Sequence, residues 1–178
     1  NLFLIEDAAE MIGQTCRRSR CGSFGDLSTF SFYANKHITT GEGGMIVTNS
    51  EHLYERCKSL RNLCFQNKQR FVHSEIGWNY RMTNIQAGLG LSQLERLDQI
   101  INRKKEIGAL YHERLISLKE FINLPLKKTN FADNIYWVFG IVLKNSDIFN
   151  TSKELIEKLS KNKIGTRPFF YPLHLQPV

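Results

Sequence analysis

No stretch of the sequence carries about 18 or more apolar residues in a row, so nothing in it predicts a membrane-crossing helix. The opening Asn1-Leu2-Phe3-Leu4-Ile5-Glu6-Asp7 is no signal peptide, because its apolar run is too short and no basic region precedes it. There is no internal repeat and no low-complexity tract. The four cysteines, Cys16, Cys21, Cys57 and Cys64, match no zinc-site spacing, and no metal site is expected. Reduced thiols in a cytoplasmic protein are the expectation, although spacing alone leaves a Cys16–Cys21 disulfide open. The net charge is +7, yet the basic residues are scattered. Their densest cluster, Arg103-Lys104-Lys105, falls on a predicted helix and reads as a solvated face. Aromatic residues do not interleave with basic ones as in a base-stacking surface. Neither a nucleic-acid nor a membrane partner is expected; the charge also suits an enzyme whose cofactor and substrate carry phosphates. An initiating Met is missing too: the chain opens inside what reads as a buried strand and closes on Pro177-Val178. Both ends read as cuts through a larger protein.

What is present is an ordinary globular balance over 178 residues, 42% hydrophobic and 23% charged. The run 1–5 reads as a short apolar strand ending in acids, the way parallel α/β sheets present functional groups. Ala8 to Ile12 could start a helix stopped at Gly13, and 16–26 reads as a loop. Leu27 to Tyr33 and Met45 to Thr48 have strand composition, separated by a turn-rich loop at 39–44. Asn49 or Ser50 can cap a helix to about Leu63. Residues 65–77 read as a surface loop, and Thr83 caps a long helical stretch with a break expected between Asp98 and Arg103. Ile135 to Leu143 is strand-like, and Thr151 or Ser152 caps a final amphipathic helix. A domain boundary is expected inside the long helix, dividing 1–105 from 106–178.

The chemistry centres on Lys36, in Phe30-Ser31-Phe32-Tyr33-Ala34-Asn35-Lys36-His37-Ile38-Thr39-Thr40-Gly41-Glu42-Gly43-Gly44. A lysine after an apolar strand and before a Thr/Gly loop also fits a solvated strand end. Its company raises its interest. The Ser31 hydroxyl can donate to a phosphate, the glycine loop lets backbone approach a ligand, and Asp7 ends a neighbouring strand. A lysine can bond an aldehyde cofactor, and a carboxylate can keep a pyridinium nitrogen protonated. Asp7 could equally be a helix cap.

Several segments together resemble one family. Ile5-Glu6-Asp7-Ala8-Ala9-Glu10, Gly22-Ser23-Phe24-Gly25-Asp26, the Ser31-to-Gly44 run, Gly77-Trp78-Asn79-Tyr80-Arg81-Met82-Thr83-Asn84-Ile85-Gln86-Ala87 and Tyr171-Pro172-Leu173-His174 occur in the order of the DegT/DnrJ/EryC1/StrS sugar aminotransferases. The resemblance runs over nearly the whole chain. It implies an α/β fold: part of the fold-type-I, aspartate aminotransferase-like large domain (1–105, its C-terminal part) and the incomplete start of a small C-terminal α/β domain (106–178). It implies pyridoxal 5'-phosphate as cofactor and Lys36 as the catalytic, cofactor-bonding lysine that moves the proton. Asp7 would meet the pyridine nitrogen, Glu10 the ring hydroxyl and Ser31 the phosphate. Asn79, with Arg81 beside it, would reach the neighbouring subunit's phosphate, which implies a homodimer. The loop holding Arg167, Tyr171 and His174 would meet the sugar nucleotide. Taken singly, Asn79 could be a turn former, Arg81 a surface ion pair and His174 a satisfied loop histidine. His37, beside Lys36, has no role in the resemblance.

The implied reaction moves an amino group from glutamate to a keto group of a nucleotide-linked deoxysugar. The segments 33–36 and 166–174 resemble the branch that turns GDP-4-keto-6-deoxymannose into GDP-perosamine, for surface polysaccharide and in the cytoplasm. A non-catalytic relative with a sensing or partner-binding role is the alternative, disfavoured by the joint presence of Lys36, Asp7 and Ser31. The family's phosphate-cradling N-terminal turn is not in the sequence, so these residues alone are expected to be inactive, with exposed strand edges prone to aggregate.

Overall fold

Thr29 and the aromatic Phe30 favour a pleated, half-buried strand, and Leu27–Ser31 forms the middle strand of the main sheet (β4). In this computed structural model, which describes residues 2–65, 69, 71–144 and 151–178, β4 pairs in parallel with β1 (Ile5–Asp7). The register sets Ile5 against Leu27, Glu6 against Ser28 and Asp7 against Thr29. On its other side it pairs antiparallel with β5 (Gly44–Val47), Ser31 facing Gly44. A small antiparallel hairpin of β2 (Thr15–Cys16) and β3 (Ser19–Arg20) leaves the sheet, within the stretch expected to be loop. The expected strand at 1–5 is displaced: Asn1 lies outside the described residues, and the ladder starts at Ile5, where β4 begins. Just before it, the Leu4 N–H donates to the Asp26 carboxylate at 2.8 Å and the Leu4 carbonyl accepts from Asp26 N–H at 2.8 Å.

Ala8 to Ile12 makes turns rather than a helix. Met11 N–H bonds back to Ala8 and Gln14 N–H to Met11, a spacing of three with no continuing ladder. The apolar side chains it carries still serve the core: Ile12, Phe32 and Ile38 are buried together with Phe30, Met82, Leu97 and Ile100 packed on them. Each such side chain is worth about 1.5–3 kcal/mol when fully buried.

The helices follow their caps. Helix α1 (Glu51–Arg61) starts at Ser50, whose hydroxyl accepts from Leu53 N–H, and carries Glu51 in its first turn and Lys58 and Arg61 in its last, complementing the helix dipole. Helix α2 (Asn84–Leu94) starts with a reciprocal capping box of Thr83 and Gln86. Helix α3 (Leu97–Leu115) follows after a break at Glu95–Arg96, earlier than the expected 98–103. Helix α4 (Ser152–Lys161) is capped by Thr151. The strand expected at 135–143 exists only as β7 (Val142–Leu143), paired antiparallel with β6 (Ile122–Asn123). The alternation needed for a strand fails at Ile135 and Tyr136: both are buried, and Tyr136 has φ +51. Residues 66–68 and 70 of the expected surface loop lie outside the described residues.

The chain forms two compact units, one of residues 1–105 with 127–137 and one of 106–126 with 138–178. All four cysteines are free thiols. Among the described residues no helix is long and apolar enough to cross a membrane, and no group of three or more metal-ligating side chains gathers.

An unforeseen carboxylate organises the loop between β1 and β4. Glu6 accepts from Gly22 N–H at 2.6 Å, Phe24 N–H at 2.9 Å and the Ser28 hydroxyl at 3.1 Å. Burial pushes its acid strength one way, but those donors outweigh it and hold the carboxyl below its ordinary value of 4.5. A group with a depressed folded value contributes stability that is fully present above its unfolded value and lost as the pH falls through the folded one. Glu6→Gln in the intact protein is therefore expected to lower stability by about 1–2 kcal/mol at neutral pH. The gap to wild type should narrow as the pH falls below 4.5. Urea unfolding midpoints at several pH values read this out, and a gap that widens on acidification would refute it.

Candidate active site

The loop between β4 and β5 builds the site. Phe32 N–H donates to the Gly43 carbonyl at 2.9 Å, and the Phe32 carbonyl accepts from both Thr40 N–H (3.0 Å) and the Thr39 hydroxyl (2.9 Å). These bonds pinch the loop into a closed turn that presents Lys36. Its closing residues Gly41 and Gly43 have φ +79 and +143, the left-handed side of the map that side chains resist.

Helix α2 holds this turn from beneath. Gln93 is doubly bonded to Thr39: its carbonyl accepts from Thr39 N–H at 3.1 Å and its amide donates to the Thr39 carbonyl at 2.7 Å. Gln86 donates to the Glu42 carbonyl at 3.2 Å. A Cβ at Gly90 would stand 2.9 Å from the Thr40 methyl, so the glycine lets helix and turn touch. Neither glutamine was predicted. Their signal is weak, since a polar residue on a helix face reads as solvated until its partner is known.

Lys36 is well enclosed. Its side chain is only 10% exposed, with Nζ 3.5 Å from Glu10 Oε1 and 4.2 Å from the centre of the Trp137 ring. Its own N–H donates to the Tyr33 carbonyl at 3.0 Å. Asp7 ends β1, is exposed, and accepts from Ala9 N–H at 3.0 Å. Ser31 ends β4, where its oxygen accepts from Tyr33 N–H at 3.2 Å. Parallel pairing thus sets Asp7 and Ser31 at the carboxyl ends of neighbouring strands, and each chain segment leads on to one member of the Lys36–Glu10 pair.

The other expected residues make different contacts. Arg81 donates to the Asn62 side chain at 2.8 Å. Asn79 is exposed and forms a bridge with Asn62 at the end of α1, next to stacked Trp78 and Tyr80 rings 6.0 Å apart. Arg167, Tyr171 and His174 are exposed in the second unit, where a single 3-10 turn spans Leu173–Leu175.

Three residues near Lys36 had no foreseen role there. His37 is buried and its Nε2 meets the Ile135 carbonyl at 3.2 Å, so that nitrogen carries the proton. Burial lowers its proton affinity, the Ile135 carbonyl raises it, and the Lys104 and Lys36 ammonium groups lower it further; the net direction is down. Lys104, expected on a solvated face, is half-buried and donates to the Trp137 carbonyl at 3.0 Å; burial lowers its proton affinity. Trp137 donates its indole N–H to the Asn35 carbonyl at 3.1 Å.

The fold that carries Lys36 is shared with solved sugar aminotransferases. Helicobacter pylori PseC, an aminotransferase involved in pseudaminic acid biosynthesis, superposes with a TM-score of 0.86 at 29% identity, over 99% of this chain and 47% of its own. Streptomyces venezuelae DesV, solved in complex with a ketimine intermediate, gives 0.83 at 31% identity, over 99% of this chain and 45% of its own. The chain belongs to the DegT/DnrJ/EryC1/StrS aminotransferase family, whose signature spans residues 1–178. It is 43% identical to the GDP-perosamine synthase of Escherichia coli O157:H7, over 100% of this chain and 47% of that protein. It is 42% identical to that of Vibrio cholerae, over 99% and 47%. The chain thus spans about half the length of these relatives, and its fold is the matching part of the PLP-dependent sugar aminotransferase fold.

Because Gln93 supplies both bonds to Thr39, Gln93→Ala should cost about 1–3 kcal/mol of stability in the intact protein. Gln93→Glu should cost as much or more, since a carboxylate oxygen would face the Thr39 carbonyl. Thermal unfolding of both variants tests the clamp; a wild-type melting temperature for either would remove it.

Proposed function

We propose that this chain is an internal portion of a pyridoxal-phosphate-dependent sugar-nucleotide aminotransferase. Residues 1–105 supply the C-terminal part of its large domain and 106–178 begin its small one, with 127–137 returning to the first. The carrying observation is the enclosure of Lys36 beside Glu10, on a turn beyond the strand ends that bear Asp7 and Ser31. An amine, two carboxylates and a hydroxyl are the donor set that the aldehyde, ring nitrogen, ring hydroxyl and phosphate of the cofactor require. When bound, pyridoxal phosphate supplies an aldehyde that accepts an amino group and a ring that draws electrons from the adjoining carbon.

Lys36 would hold the cofactor and, when its amine is free, would take up and return the proton at its Nζ. Asp7 keeps the ring nitrogen protonated, Glu10 lies by the ring hydroxyl, and Ser31 donates to the phosphate. Asn79 and Arg81 serve the phosphate site of a second subunit, so the enzyme is a homodimer. Arg167, Tyr171 and His174 contact the sugar nucleotide, with the Arg167 guanidinium suited to its diphosphate. Glutamate is the amino donor, GDP-4-keto-6-deoxymannose the acceptor and GDP-perosamine the product, made in the cytoplasm for surface polysaccharide. Likeness to the two GDP-perosamine synthases supports this substrate.

The test is the visible spectrum of the intact protein with pyridoxal phosphate, with borohydride reduction and peptide mapping. Wild type should show a cofactor band and a reduced adduct on Lys36. Lys36→Ala should lose both, and amino-sugar formation should fall by about 100- to 10,000-fold. A folded, cofactor-saturated wild type with neither band nor adduct would overturn the proposal in favour of a non-catalytic relative.

A further inference from the structure

Three contacts join the Lys36 turn to one segment about a hundred residues away, and a fourth ties that segment to α3. The His37 ring donates to the Ile135 carbonyl, and the Trp137 indole donates to the Asn35 carbonyl. The Trp137 ring lies under the Lys36 ammonium, and Lys104 of α3 donates to the Trp137 carbonyl. The segment is irregular, with Tyr136 at φ +51, so no sheet ladder holds it there. The residues on both sides of Lys36 meet it, Asn35 through its backbone carbonyl and His37 through its ring, and Lys36 itself rests on its aromatic ring.

A free lysine side chain has several rotatable bonds whose freedom must be lost on alignment. The Glu10 pair alone is a weak restraint: it is 3.5 Å long and the Glu10 side chain is 35% exposed. A ring face 4.2 Å from the ammonium adds an attraction that is worth more where water is partly excluded. The indole N–H, bonded to the residue before Lys36, fixes that ring relative to the turn.

We propose that Trp137 is the positioning residue for Lys36, its indole confining the amino group to the Glu10 side of the turn so that it is pre-aligned for the cofactor. This deepens the aminotransferase proposal and rests on it for the cofactor, while the contact itself does not.

The experiment separates the two. In the cofactor-free intact protein, lysines are reductively methylated with 13C-formaldehyde, and the Lys36 resonance is assigned by its loss in Lys36→Ala. Over the Trp137 ring this resonance should be shifted upfield; in Trp137→Leu it should return to the bulk lysine position. Cofactor titration should then give a dissociation constant raised roughly tenfold in Trp137→Leu, with Trp137→Phe, which keeps a ring face, recovering most of the loss. A merely structural tryptophan would give Phe and Leu variants equally weakened in proportion to their melting temperatures. That result, or an unshifted wild-type resonance, overturns the inference. An upfield resonance in a wild type that takes up no cofactor overturns instead the aminotransferase proposal, and with it the cofactor role of Trp137.

Discussion

Three residue pairs of parallel sheet carry the arrangement of the site. Ile5 to Asp7 runs beside Leu27 to Thr29 in register, so two stretches some twenty residues apart end at the same edge. Beyond that edge one chain continues through Asp7 to Glu10 and the other through Ser31 to Lys36. A slip of one residue would turn every side chain to the opposite face. It would move Glu6 away from Gly22 and Phe24 and leave Ser28, only 1% exposed, without its carboxylate partner. The register is therefore fixed by polar bonds at Glu6 as much as by apolar burial, and the Lys36–Glu10 approach follows from it.

That economy has a cost at the sheet's margins. Parallel strands are ordinarily buried on both faces, yet Ile5 is 67% exposed on β1; on the antiparallel strand β5, Ile46 is 53% exposed. Helix α2 covers only the turn side, through Gln86, Gly90 and Gln93. The apolar content that makes these strands readable is thus more than the described elements bury. The β1–β4 register is set by bonds within the described residues, while these outer faces stay exposed.

What was legible in the sequence follows the range of the interaction. Ser50, Thr83 and Thr151 mark helix starts because a cap needs only the next three residues, and Leu27–Ser31 and the glycine turn are local in the same way. Lys36 could be singled out because strand, lysine and glycine loop are contiguous. Features decided by distant partners were not legible. Ala8 to Ile12 has a helical pattern but spends its backbone on turns after Asp7, and Ile135 to Gly140 has strand composition but is diverted at Tyr136. Lys104 looked like one member of a solvated basic cluster because nothing local announces the Trp137 carbonyl. Asn79 and Arg81 are recognisable only through the family motif; their contacts here, with Asn62, are those of any polar segment beside a helix end.

The same distinction explains why the immediate surroundings of Lys36 come from far away. A turn of ten or so residues can satisfy its own backbone, as Phe32, Thr39, Thr40 and Gly43 do, but it has no side chains left to wall in a long flexible lysine. Glu10 approaches from the β1 side and Trp137 from the 135–137 segment, each brought by an element with its own anchor: the β1–β4 ladder for the first, His37 and Lys104 for the second. His37 is adjacent to Lys36 yet buried, and its ring ties that segment to the turn through the Ile135 carbonyl. The placement of Lys36 thus depends on a lysine that the local sequence presents and on two groups from remote segments, Glu10 and Trp137, that lie against its amino group.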